Sequence, residues 1–503
     1  MEGREDSGTK ARPSRKTLPN PSLKQVAVLL LLSAAAVLVH GYHPYVEDAE
    51  IYVPGIKRAL NADLYPYNRE FFADHARLTL FPNVVAGFTR LTHLSLDWVL
   101  FGMHLFSIFL LLLACWHLGR LCFPDPQAKW GSVALVGALL TLPVAGTALY
   151  IMDQYLTARS FSTPALMFVV LDLAEKRWLR ASLWALAAAS IHPLMVVFGL
   201  SYGLLQLAGC RQEPGGARGG ALLSAGAGLW PRPSAAYLEA LDRHSYFFLL
   251  RWQWFEWVGI FAPLAVLGWF ERIGRKLGLG LLASLCRAAI WFGLLYFSVG
   301  VVIGTVPGLE SLAELQPMRS LQLIYILMLV FAGGLLAQFF LQRRLARWLL
   351  VFAPLCGGMF YAQRQCFPAT AHLEWPGRVS GNDWVKAFVW VRDHTPRDAY
   401  FALNPDHMAM AGEDQQGFRA IAERSSLADR IKDSGAVTMF PSLADRWRRQ
   451  VRSEDGWENF GEQDFRRLER DYGVGWFVLD RLPVPGMSCP YENDSLRVCR
   501  LQP

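Results

Sequence analysis

Six stretches of the chain (residues 25–40, 99–118, 130–150, 277–302, 321–341 and 348–361) run almost free of charge, and this constrains the fold more than any other feature. A helix advances about 1.5 Å per residue, so roughly 17–25 apolar residues match the hydrocarbon thickness of a bilayer. In lipid each backbone N–H and C=O has to find its partner inside the protein, which leaves helices and closed barrels. These runs are continuous rather than alternating, so helices are expected. With 53% hydrophobic residues over 503 positions, the chain reads as an all-α polytopic membrane protein. A net charge of +7 is compatible with nucleic-acid binding, but the basic residues sit in short clusters between apolar runs, the pattern of a topology signal. No nucleic-acid partner is expected.

Sidedness follows from the same clusters. The tail, residues 1–24, carries Arg4, Lys10, Arg12, Arg15, Lys16 and Lys24 and is expected in the cytoplasm. The first apolar run is read as an uncleaved helix, because the segment after it lacks a small-x-small cleavage pattern. Residues 41–97 then form a first outer loop, with 120–129 inside, 151–160 outside and 175–180 inside. A single span over 181–208 would place the basic residues of 210–218 and 271–276 outside. Breaking it at Ile191-His192-Pro193 into two short helices restores the alternation, and Pro193 favours such a break. A further short span over 221–230 follows. Residues 231–255 and 307–318 then lie outside, and 342–347 inside. The result is about eleven transmembrane helices over residues 25–363, with residues 364–503 beyond the outer face.

From about residue 364 the long apolar runs cease. Residues 382–392 read as an amphipathic helix opening on an Asn cap, 462–471 as a second helix, and 399–403 and 475–479 as strands. A small C-terminal α/β soluble domain is expected. The eight cysteines show no metal spacing, and five of them lie in or near spans as small apolar residues. Cys489 and Cys499 flank a short polar stretch on the side of the membrane where disulfides form.

The outer loops collect the unusual polar residues. The first holds His43, Glu47, Asp48 and Glu50, and the second Asp153, Tyr155 and Arg159. His192 stands at the helix break, Arg251, Trp252 and Glu256 follow in a fourth group, and Gln316 and Arg319 in a fifth. Ionisable groups at span ends on one side suggest a shared polar site. Glu47-Asp48 is the sharpest feature. A carboxylate there can take a proton from a hydroxyl or hold a divalent cation. The plainer reading is a helix N-terminus whose dipole favours Glu47, Asp48 and Glu50. Asp153 is either a second carboxylate facing the same cavity or half of a turn paired with Arg159. Arg159, Arg251 and Arg319 suit a lipid-linked phosphate through bidentate contacts, or else snorkel to headgroups. His192 either bonds a phosphate or an acceptor, or serves the helix break.

The blocks Glu47-Asp48-Ala49-Glu50, Asp153-Gln154-Tyr155-Leu156-Thr157-Ala158-Arg159, Ile191-His192-Pro193, Arg251-Trp252-Gln253-Trp254-Phe255-Glu256-Trp257 and Gln316-Pro317-Met318-Arg319 resemble those of a bacterial group within the GT-C superfamily of membrane glycosyltransferases. The later motifs Trp390-Val391-Arg392-Asp393-His394-Thr395-Pro396 and Tyr472-Gly473-Val474 are similar to the periplasmic domain of such proteins. The resemblance implies an inverting transfer from a polyprenyl-phosphate-linked sugar donor, with Asp48, beside Glu47, as the catalytic base. The acceptor is a glycan, lipid or protein. No separate Asp-x-Asp motif stands in the first loop, so a divalent cation (Mg²⁺ or Mn²⁺) held by Asp48 and Asp153 is left open.

The candidate set is therefore Asp48, Glu47 and Asp153 for catalysis, and His43, Tyr155, Arg159, His192, Arg251, Trp252, Glu256, Gln316 and Arg319 for substrate. Two other functions compete. A transporter or flippase of a lipid-linked glycan would bury ionisable residues near mid-bilayer and often show repeats, whereas these runs are nearly charge-free and no repeat is visible. A non-catalytic scaffold whose soluble domain binds a partner is the third reading.

Overall fold

The computed structural model describes residues 20–209 and 233–502 apart from Pro307, Val379 and Arg481. The further span expected over 221–230 lies outside these residues. In chain order the helical part comprises α1 (Leu23–His40), α2 (Ala49–Leu60), α3 (Glu70–Arg77), α4 (Phe81–Thr92), α5 (Leu96–Cys122), α6 (Ala128–Ala138), the short strands β1 (Pro143–Val144) and β2 (Leu149–Tyr150), then α7 (Ala158–Ala174), α8 (Trp178–Ile191), α9 (Pro193–Gly209), α10 (Ala235–Asp242), α11 (Trp254–Lys276), α12 (Gly280–Thr305), α13 (Leu321–Leu336) and α14 (Leu345–Cys366). The C-terminal part comprises α15 (Asp383–His394), β3 (Tyr400–Leu403), α16 (Phe418–Ala422), β4 (Ser425–Ser426), α17 (Lys432–Met439), α18 (Ala444–Ser453), α19 (Glu462–Tyr472), β5 (Trp476–Leu479), β6 (Met487–Glu492) and β7 (Arg497–Leu501).

Among the described residues, six helical stretches are long and apolar enough to cross a membrane: α1, α5, α11, α12, Glu310–Leu341 (which contains α13) and α14. That is fewer than the eleven spans expected. The shortfall has a physical cause. The run at 181–208 does break at His192, as Pro193 requires, and yields two apolar helices of 14 and 17 residues.

The run at 130–150 departs further from expectation. α6 has 11 residues, about 16 Å at 1.5 Å per residue, and stops at Ala138. Beyond it the chain turns into the antiparallel β1–β2 pair. Non-helical backbone among apolar helices has to be paired by neighbours, and two side chains do this. His40, at the end of α1, places Nε2 2.9 Å from the Gly137 carbonyl and Nδ1 2.7 Å from the Thr141 hydroxyl. Gln322 of α13 donates from Nε2 to the carbonyls of Tyr150 and Ile151 at 2.9 and 3.0 Å. α6 and α13 touch through glycines: a Cβ added to Gly131 would meet the Gly333 carbonyl oxygen at 2.3 Å.

The helices share a polarity. α7, α9, α11 and α13 start, and α8 ends, at one end of the bundle, where Arg159, His192, Phe255 and Arg319 line a common cavity. The basic clusters at 175–180, 271–276 and 342–347 lie at the opposite helix ends. The segment expected as a first outer loop is built from α2, α3 and α4.

The C-terminal part holds a five-stranded mixed sheet in the order β4-β3-β5-β7-β6, with β3 parallel to β4 and β5, and β7 antiparallel to both neighbours. The expected strands and both expected helices are present. α15 opens on Asn382, whose Oδ1 accepts from the Val385 N–H at 3.1 Å. The Cys489–Cys499 disulfide joins β6 to β7, two strands that the sequence pattern did not disclose. Arg419 of α16 ties this part to the first segment. Its Nε donates to Glu50 Oε1 at 2.8 Å, and its Nη2 donates to Asp433 Oδ1 at 2.7 Å and to Asp429 Oδ2 at 3.2 Å.

Candidate functional site

The cavity occupies about 1250 Å³ between the bundle end, the first segment and the C-terminal part. Leu78, Val144, Leu149, Leu194 and Phe255 make its apolar walls. Of the sequence-derived candidates, Glu47, Asp48, Asp153, Tyr155, Arg159, His192, Glu256, Gln316 and Arg319 all line it. Helix geometry explains the convergence: each belongs to a turn or helix end at the same level of the bundle, although they are spread over some 270 positions.

Asp48 stands at the start of α2, yet its side chain makes no capping bond there. The expectation that the helix dipole accounts for the acidic run is therefore met by helix position but not by side-chain use. Asp48 Oδ2 instead accepts from Arg159 Nη2 at 2.9 Å, and Oδ1 accepts from Lys432 Nζ at 3.1 Å. The same Arg159 nitrogen donates to Asp153 Oδ2 at 3.1 Å, and the Thr157 hydroxyl adds a bond to that oxygen. Both readings of Asp153 thus hold together, since it is paired with Arg159 and faces the cavity.

The two carboxylates are pushed apart electrostatically. Burial raises both, but for Asp48 the Lys432 and Arg159 charges outweigh it and hold the group far below the usual carboxylate range. Asp153 is more deeply buried and feels the negative Asp48, so it stays raised despite Arg159. Asp48 remains the more accessible of the two, with its side chain 28% exposed against 8%. Arg319, which also lines the cavity, has no carboxylate partner among the described residues, and its Nε lacks any hydrogen-bond partner there. Gln316 Oε1 and His192 Nδ1 are likewise buried and unpartnered. Three non-glycine residues lining the cavity, Glu47, Ala148 and Gln316, hold left-handed backbone at φ 55°, 53° and 44°. Such strain is retained where surrounding structure over-determines it and concentrates at functional sites.

Three candidates fall elsewhere. His43 lies behind the wall, stacked on Phe367 at 4.1 Å and bonded through Nδ1 to Glu374 at 2.9 Å, where it packs the seam to the C-terminal part. Arg251 is half-exposed, pairs with Asp242 and stacks on Phe248. Trp252 backs the β1–β2 pair, its ring so close to Gly146 that a Cβ there would come within 2.3 Å. Sequence reasoning passed over Tyr52, His75 and Lys432, which also line the cavity. Lys432 carried no signal, because one lysine in a polar, charge-rich stretch is indistinguishable from a solvated one.

The carboxylates are poorly disposed toward a divalent cation. Asp48 and Asp153 both spend an oxygen on the Arg159 guanidinium, and a dication would have to displace it. Among the described residues no group of three His, Cys, Asp or Glu side chains is arranged to hold a metal ion. The cavity thus joins an ionised, accessible carboxylate to an unpaired guanidinium within apolar walls. No protein-family model matches the chain, and no curated protein matches it.

Proposed function

We propose that this chain is a GT-C-type glycosyltransferase of the inner membrane, which moves a sugar from a polyprenyl-phosphate carrier to an acceptor hydroxyl at the outer face. In this reading the N-terminus is cytoplasmic and the C-terminal part extracytoplasmic. One observation carries it: Asp48, accessible and ionised, shares an apolar-walled cavity with Arg319, a guanidinium that has no anion of its own. A partly buried cation without a counter-charge is costly, and a substrate phosphate removes that cost.

The chemistry balances over these groups. The acceptor O–H passes its proton to Asp48, its oxygen bonds to the anomeric carbon, and the bond from that carbon to phosphate oxygen breaks. The electron pair leaves with the lipid phosphate, which Arg319 and Arg159 stabilise. A carboxylate held as low as Asp48 is a weak base. It suffices where the transition state is oxocarbenium-like and the hydroxyl proton is lost late. Leu78, Leu149 and Phe255 provide the apolar surface for the first prenyl units. The test is a transfer assay over a panel of polyprenyl-phosphate sugars. Asp48→Asn should lose about 10²–10⁴ in rate while the chain still folds and melts cooperatively, and an undiminished rate in that variant removes the proposed base.

A further inference from the structure

The residues flanking Asp48 are shaped by the far end of the chain. The Glu47 N–H donates to the Gln415 carbonyl at 3.1 Å, and the Gly417 N–H donates to the Tyr45 carbonyl at 2.9 Å, so residues 45–47 and 415–417 run as a short bridged pair. Glu50 completes the seam by accepting from the backbone N–H groups of Arg419 and Ala420 at 3.0 and 2.9 Å. A Cβ on Gly417 would meet Glu50 Oε2 at 2.5 Å, so the approach depends on glycine there.

Lys432 is presented with equal care. Asp429 Oδ1 accepts from the Ile431 N–H at 2.7 Å and from the Lys432 N–H, which fixes the first turn of α17. From that turn the Lys432 side chain, 11% exposed, reaches the carboxylates of both Glu47 and Asp48. The left-handed Glu47 thus has its N–H and its side chain both engaged by the C-terminal part.

We propose that Lys432 is a positioning residue for the transfer reaction: its ammonium, delivered by the C-terminal part, orients Asp48 and balances its charge, so that this part is a working component of the site. The proposal rests on the transfer reading above. It assigns Lys432 no contact with substrate. Arg159 of α7 holds one carboxylate oxygen of Asp48, and Lys432 of α17 holds the other. With Lys432 gone, Asp48 is held at one oxygen only, by Arg159, and can turn about its side-chain bonds away from the acceptor.

The experiment uses the full chain in nanodiscs and compares Lys432→Met with Lys432→Arg. Lys432→Met should lower kcat about 10- to 100-fold, the order expected when a catalytic carboxylate is left misplaced, while the donor KM stays within twofold. Lys432→Arg, which keeps the charge, should recover most of the rate. A melting-temperature cycle over Lys432→Met, Asp48→Asn and the double variant supplies a readout that needs no activity. Each single change should lower the midpoint, and the double should fall no further than the worse single. Unchanged kcat in Lys432→Met, no recovery in Lys432→Arg, or additive melting shifts would each overturn the proposal. A wild-type chain that transfers no sugar from any donor overturns the transfer reading itself. The melting cycle then still decides whether Lys432 and Asp48 act on one another.

Discussion

Asp48 and Asp153 share one guanidinium nitrogen yet are driven in opposite directions, and this difference sets what each can do. Asp48 is the accessible, ionised group, whereas Asp153 buttresses Arg159 from below. The sign of the pH dependence follows. The folded value of Asp48 lies below its unfolded one, so its stabilising pairing is complete above about pH 4 and is lost only as pH falls through the lower folded value. Lys432 is raised by Glu47 and Asp48 against burial, so its share is complete below about pH 10. The melting-temperature gap between wild type and Asp48→Asn should therefore be level from about pH 5 to 9 and narrow below about 4, as a melting series across buffers would record. Arg319 acts on the donor. Arg319→Gln should weaken donor binding about 10- to 100-fold, the loss expected for a charge-assisted bond to phosphate. Titration with a labelled polyprenyl phosphate checks this, and unchanged affinity would remove Arg319 from the donor site.

Element by element, the site depends on helices that end early. α6 stops at Ala138, and the chain beyond it bends back as β1–β2 to form one cavity wall. His40 satisfies the turn that makes this possible, so His40→Leu leaves the Gly137 carbonyl and the Thr141 hydroxyl without that partner. A loss of about 1–3 kcal/mol is expected, seen as a lower melting midpoint in detergent. The α6–α13 contact is equally sensitive. Small residues let helices approach closely in a bilayer, and Gly131→Ala puts a methyl into the Gly333 backbone. The expected cost is about 1–3 kcal/mol from overpacking, with the cavity wall displaced along with α13. A Gly131→Ala variant that melts like wild type would contradict the packing described.

On the scale of the whole molecule, the C-terminal part is bound to the helical part by buried charge as well as by an apolar face, where Val437, Trp447 and Val451 share a core with Phe71, Tyr237 and Ile303. Arg419 is surrounded by Glu50, Asp429 and Asp433, all buried. Removing one partner of such a group costs about 3–5 kcal/mol, because the remaining charges stay buried without compensation. Arg419→Met should therefore loosen the C-terminal part from the first segment, where Glu50 loses its partner, while the helices persist. Limited proteolysis should then cut between α14 and α15 in the variant and spare wild type. Transfer should fall with it, since Lys432 is then held less firmly against Asp48.

The membrane character, the break at His192, the Asn382 cap and the strands at 400–403 and 476–479 are all local properties. Hydropathy, proline and capping chemistry act over a few neighbouring residues, so the sequence alone determines them. It also points to Asp48, Asp153, Arg159, His192 and Arg319, because charge at the edge of an apolar run is conspicuous. The early end of α6 is not legible in the same way. An apolar run looks identical whether its backbone is paired along a helix or by His40 and Gln322 from other helices. The misplacement of His43, Arg251 and Trp252 has the same origin: loop membership gives the level of a residue in the bundle but not the direction it faces. Lys432 is the extreme case. It reaches Asp48 across 384 positions, and only the packing of the C-terminal part against the first segment brings these two charges together.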